Sequence, residues 1–198
     1  MIDKLIFATN NQGKMKEVRM MLSDLCGEII PLADAGISVE IIEDGDTFEE
    51  NAVIKAKTIM EYTGEIIMAD DSGLEIDAFN KEPGIHSARF LGEDTSYDVK
   101  NQYILDKLED IKYEERTARF VCAIACAFPD GKLVTKRGIM EGVIGYEIKG
   151  YNGFGYDPIF FLPKFNCTSA ELRPEQKNQV SHRAKALEAI KKELKLLK

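Results

Sequence analysis

Two short runs in which every side chain is apolar, Leu5-Ile-Phe-Ala8 and Ile66-Ile-Met-Ala69, constrain the fold of this chain more than any other feature. A strand with no polar face must be covered on both sides, which is the situation of a parallel sheet flanked by helices. The intervening sequence supplies the helices. Met15, Val18, Met21, Leu22 and Leu25 recur at helical spacing after the first run. Thr47-Phe-Glu-Glu50 reads as a capping box, Ala52, Ala56, Ile59 and Met60 line one face behind it, and Thr63-Gly64 supplies a stop. The first seventy residues therefore predict strands alternating with helices through right-handed crossovers.

Further along the pattern changes. Phe120 to Phe128, a Pro129-Asp-Gly131 turn and Lys132 to Gly138 predict an antiparallel hairpin. A helix is expected around Tyr97 to Leu108, and a closing helix from Ser181 carries Leu187, Ile190, Leu194 and Leu197. No linker, low-complexity tract or repeat interrupts the chain. The reading is a mixed α/β fold, one domain over 1–198 whose two lobes would share a central sheet and leave a cleft.

With 198 residues, 44% of them hydrophobic, the chain can bury a sizeable core, which excludes a disordered or collagen-like class. A net charge of −8 disfavours nucleic-acid backbones and anionic lipid as partners. No apolar run approaches the roughly 18 residues of a membrane span, so a soluble cytoplasmic protein is expected. The four cysteines, Cys26, Cys122, Cys126 and Cys167, lack a disulfide framework or a second Cys/His pair for zinc and read as buried thiols.

Four segments carry candidate chemistry. Thr9-Asn-Asn-Gln-Gly-Lys14 lies where a buried strand gives way to a helix, so free amides, the helix dipole and Lys14 would attract an anion. Asp70 and Asp71, in Ala69-Asp-Asp-Ser-Gly73, are expected at the carboxyl end of a buried strand, where adjacent carboxylates need a compensating cation. Magnesium suits them, since it prefers oxygen ligands and bridges carboxylates to phosphates. Lys14 and Lys55 opposite Glu43, Asp70 and Asp71 make a parts list for phosphoryl chemistry. In Gly150-Tyr-Asn-Gly-Phe-Gly-Tyr-Asp-Pro158, glycines interleaved with Phe154 and Tyr156 suit stacking on a flat base, or simply a core. Lys177 and Ser181-His-Arg183 add donors at the start of the closing helix.

Together these segments resemble the inosine triphosphate pyrophosphatase family, whose members hydrolyse non-standard purine nucleoside triphosphates to monophosphate and pyrophosphate. The resemblance runs nearly end to end. It rests on Thr9-Asn-Asn-Gln-Gly-Lys14, Thr47-Phe-Glu-Glu-Asn-Ala52 with Lys55, Ala69-Asp-Asp-Ser-Gly-Leu74, Pro83-Gly-Ile-His-Ser-Ala-Arg89, Gly153-Phe-Gly-Tyr-Asp-Pro158 and Ser181-His-Arg183. Asn10 stands where many members carry Gly.

The resemblance implies an elongated two-lobed α/β fold with a mixed twisted sheet and a central cleft, usually as a homodimer. It implies that Thr9, Asn10, Asn11, Gln12, Gly13 and Lys14 hold the triphosphate. Glu43 and Asp71 would hold Mg2+, with Asp70 beside them, and Asp71 would also act as general base, supported by Lys14 and Lys55. Ser72 would touch the substrate. Phe154, Gly155, Tyr156 and Asp157 would pack on purine and sugar, and Lys177, His182 and Arg183 would complete the base pocket. The implied activity is Mg2+-dependent conversion of dITP, ITP and XTP, with donors from Arg183 or the backbone meeting the 6-oxo group that adenine lacks. A pyrophosphatase for modified pyrimidines or methylated nucleotides, and a silent nucleotide sensor, are the rival readings.

Overall fold

The computed structural model describes residues 2–196, so the expected helical position Leu197 lies outside the described residues. Strand β1 (Ile2–Phe7) leads into α1 (Gln12–Leu22), then β2 (Cys26–Pro31), α2 (Phe48–Thr63) and β3 (Ile67–Ile76). Next come α3 (Tyr97–Lys107), β4 (Thr117–Ala127), β5 (Leu133–Ile144), β6 (Phe160–Leu162), β7 (Cys167–Thr168), α4 (Pro174–Val180) and α5 (His182–Leu196). Among the described residues the strands form one seven-stranded sheet of order β2-β1-β3-β4-β5-β6-β7.

The expected change of character is present in the pairing. β1 runs parallel to both β2 and β3, whereas β5 with β6 and β6 with β7 are antiparallel. β4 and β5 are sheet neighbours joined through a tight turn in which Phe128 N–H donates to Lys132 O. So short a connection requires opposed strands.

The capping box forms as the sequence predicts. Glu50 N–H donates to Thr47 Oγ1 at 3.1 Å, and Thr47 N–H donates to Glu50 Oε2 at 3.0 Å. Gly64 ends α2 in the left-handed conformation, φ 68°, with its N–H donating to Met60 O. The sequence reading missed β2, because Leu25 extended the helical pattern past the true end of α1. Leu25 instead lies in the turn, and its carbonyl accepts from Ile2 N–H. The short elements β6, β7 and α4 were also unforeseen.

The chain divides into two compact units, one of residues 1–71, 122–138 and 182–198, the other of residues 72–121 and 139–181. Strands β3, β4 and β5 each contribute residues to both. In the first, Leu5, Phe7, Met15, Val18, Leu22, Met68, Ile124, Leu187 and Ile190 form the core. Cys26, Cys122 and Cys126 belong to it as free thiols, and burial pushes the Cys126 thiol up to about 12. In the second, Leu74, Ile76, Ile104, Leu108, Phe120, Ile144, Ile159 and Phe160 form a separate core. Among the described residues no helix is long and apolar enough to cross a membrane.

Removing the reciprocal cap of α2 by Thr47→Ala is expected to cost about 1 kcal/mol. Urea unfolding checks this, with a lower midpoint at unchanged slope.

Candidate active site

Position 70 lies in the interior of β3, not at its end. Ser72-Gly73 has the composition of a turn, yet Leu74 and Ile76 continue into the second core and the strand runs on to Ile76. Asp70 is wholly buried as a side chain, and both of its oxygens are committed. Lys14 Nζ donates to Oδ1 at 3.0 Å, while Arg183 Nε and Nη2 donate to Oδ2 at 3.2 and 3.1 Å. Burial alone would raise its proton affinity, but Lys14, Arg183 and Lys55 outweigh burial and hold the carboxyl far below the usual carboxylate range.

Asp71 has the opposite environment. Burial raises its pKa, Glu43 and Asp70 add repulsion, and Lys55 and Lys14 compensate only in part, so its carboxyl binds a proton more readily than an ordinary aspartate. Lys55 Nζ stands 3.5 Å from Asp71 Oδ1 and 2.7 Å from Glu43 Oε2. Burial would lower the Lys55 pKa, but Asp71, Asp70 and Glu43 together raise it and keep the amine charged.

The Thr9–Lys14 segment opens α1. Asn11 caps the helix by accepting from Lys14 N–H at 3.1 Å, and its own N–H donates to Thr9 Oγ1 at 3.1 Å. Asn10, Asn11 and Gln12 are exposed, Thr9 and Gly13 half-buried, so the helix N-terminus is open to an anion. The structure therefore brings Lys14, Lys55, Glu43, Asp70, Asp71 and Arg183 together in the first unit. His182 is buried at the start of α5 in the same unit.

The second unit holds the aromatic–glycine loop. Asp157 is its buried organiser: Phe154 N–H donates to Oδ2 at 2.8 Å, Lys177 Nζ to Oδ2 at 2.6 Å, and Ser169 Oγ to Oδ1 at 2.8 Å. Gly153 has φ 77°, and a Cβ there would stand 2.1 Å from Asp157 Oδ2, so only glycine fits. Phe154 is half-buried, with Lys177 Nζ 5.2 Å from its ring centroid. Gly155 O accepts from Asn101 Nδ2 at 3.1 Å. Ser72, half-buried, follows Asp71 in β3.

A model of the Ham1 family matches residues 5–193. The chain belongs to the Ham1 family. It is 49% identical over 187 residues to the dITP/XTP pyrophosphatase of Exiguobacterium sibiricum, covering 94% of each chain. With the dITP/XTP pyrophosphatase of Clostridium perfringens it shares 43% identity, covering 97% of each. The solved Ham1 protein of Staphylococcus aureus superposes with a TM-score of 0.89 at 38% identity, over 99% of this chain and 100% of that one.

Against the expectations for such a chain, three residues have different surroundings. Tyr156 does not face outward as a stacking platform: it is 3% exposed, its hydroxyl donates to Ser87 O at 2.7 Å, and its ring meets Tyr97 edge-on at 5.2 Å. It belongs to the core of the second unit, which leaves Phe154 as the half-buried ring. Asp70, expected beside Glu43 and Asp71 as a metal carboxylate, has Lys14 on one oxygen and Arg183 on the other. Among the described residues no group of three or more His, Cys, Asp and Glu is placed to hold a metal ion. Arg183, expected to offer donors to a base, has Nε and Nη2 on Asp70 and Nη1 on Glu17. Two further residues take part: Asn51 lies against Asp71, and Glu17 against Arg183. Asn51 was legible only as part of the helix-start motif, and Glu17 carried no signal.

Asp70→Asn should leave Lys14 without its carboxylate and Arg183 with only that of Glu17, and destabilise the protein by about 3–5 kcal/mol. Because the folded proton affinity of Asp70 is depressed, its contribution is present above the unfolded-state value of about 4 and is lost as pH falls below it. Urea unfolding should show the full gap between wild type and variant at pH 7, closing in acid.

Proposed function

We propose that the chain is a nucleoside triphosphate pyrophosphatase acting on dITP and XTP, with ITP as a further substrate, and releasing monophosphate and pyrophosphate. The observation that carries this reading is Asp71, a buried carboxylate held beside Lys55 and Glu43, in the same unit as Lys14 at the open N-terminus of α1. The substrate class is supported by the relatives, which are dITP/XTP pyrophosphatases at 43–49% identity.

Mg2+ belongs to the proposal. Glu43 and Asp71 converge on one amine, and two hard carboxylates that leave the rest of the shell to water and phosphate oxygens are a fitting donor set for this ion. When bound, the ion would supply Lewis-acid stabilisation of phosphoryl charge. The remaining chemistry falls to the side chains. Asp71 would take the proton of the water that attacks the α-phosphorus. Lys14 and the first amides of α1 would offset charge on the triphosphate, with Lys55 keeping Asp71 oriented. Phe154 would offer its face to the base and Lys177 a donor beside it. A homodimer and a cytoplasmic location belong to the same reading and rest on the family resemblance.

Incubation with dITP, ITP, XTP, GTP and ATP, with and without Mg2+, should yield pyrophosphate from the first three only, and only with the ion. Orthophosphate as the product would refute attack at the α-phosphorus, tight binding without turnover would favour the sensor, and preference for modified pyrimidines would replace the substrate class. Asp71→Asn should lose at least about a hundredfold in kcat while its urea midpoint stays near wild type; an active, folded variant would remove Asp71 from the role of base.

A further inference from the structure

Asn51 lies four residues before Lys55 on α2, so the two side chains share one face of the helix. Both reach Asp71, and each takes a different oxygen: Lys55 Nζ lies 3.5 Å from Oδ1, and Asn51 Nδ2 donates to Oδ2 at 3.3 Å. The charge of Lys55 holds one oxygen and the neutral amide of Asn51 fixes the other, which together set the plane of the carboxylate. Asn51 is 1% exposed, so it is out of reach of substrate.

The other end of the same amide holds a second segment. Gly45 N–H donates to Asn51 Oδ1 at 2.9 Å, which ties the 43–46 loop to the first turn of α2. The approach is close enough that a Cβ on Gly45 would stand 2.7 Å from Glu50 Cβ and 2.9 Å from Asn51 Oδ1. Glu43 is carried two residues before this anchor. One buried amide thus spans the loop that carries Glu43 and the strand that carries Asp71, and the capping box fixes the helix from which it projects. Asn is the suitable residue, because it presents a donor and an acceptor on one rigid plane with no charge to repel or neutralise Asp71.

We propose that Asn51 is a positioning residue, which sets the relative placement of Asp71 and Glu43 and so determines both turnover and the affinity of the carboxylate pair for a divalent cation. The proposal rests on the pyrophosphatase reading of this cluster. Partners that orient a ligating carboxylate characteristically change activity or metal affinity by about 10- to 100-fold when removed.

Two variants separate positioning from folding. Asn51→Leu keeps the branching of the side chain at Cγ and removes both hydrogen bonds. Asn51→Asp keeps the acceptor for Gly45 N–H but replaces the donor to Asp71 with a negative charge that repels it. With dITP and saturating Mg2+, both should lose about tenfold or more in kcat while KM changes less than about threefold. Calorimetric titration of the nucleotide-free protein with Mg2+, at a temperature where the variant is fully folded, should show binding weakened several-fold in Asn51→Leu. Wild-type kcat in Asn51→Asp, wild-type Mg2+ affinity in Asn51→Leu, or losses that appear in KM rather than kcat would overturn the proposal. Absence of pyrophosphate release by the wild-type protein would instead refute the pyrophosphatase reading, a result visible before either variant is compared.

Discussion

A carboxylate with no solvent exposure, Asp70 in the middle of β3, is the constraint around which the first unit is arranged. Burying such a charge is unfavourable unless cations and hydrogen bonds compensate it, and here two cations from distant parts of the sequence do so. Lys14 comes from the first turn of α1 and Arg183 from the first turn of α5, 56 and 113 residues away respectively. Arg183 is in turn shared with Glu17 on α1. The ends of two helices are thereby fixed against one strand, and the open N-terminus of α1 takes its place beside Asp71.

Adjacent residues of one strand consequently have opposite electrostatic character. Asp70 is saturated with donors and stays ionised. Asp71, one residue on, is held by one amine at 3.5 Å and one amide at 3.3 Å, and repulsion from Glu43 and Asp70 adds to its burial. Two identical side chains in neighbouring positions have different surroundings, one a counter-ion to Lys14 and Arg183 and the other set between Lys55 and Asn51. In the second unit Asp157 repeats the first pattern on a smaller scale, using its oxygens to shape a glycine loop and to place Lys177 beside Phe154.

Local signals were legible wherever the physics is local. The capping box at Thr47, the glycine stop at Gly64 and the 128–132 turn all depend on residues within a few positions of each other, and each forms as the spacing predicts. Misreadings arose where a distant contact overrides a local pattern. Ser72-Gly73 has turn composition but is carried through as strand, and Leu25 fits a helical period but belongs to the approach to β2. Tyr156 has the chemistry of a stacking ring and is drawn into the core by Tyr97 and Ser87.

The sequence by itself determined the alternating N-terminal architecture, the hairpin, the polar start of α1 and the inventory of acids and lysines, because periodicity, capping and composition are properties of neighbouring residues. Only the tertiary structure decided that Asp70 is paired with Lys14 and Arg183, that Arg183 is spoken for by Asp70 and Glu17, and that Asn51 bridges Gly45 and Asp71. Those outcomes depend on burial and on charges brought within about 3 Å of one another, by chain segments separated by up to 166 residues. No local pattern encodes such distances.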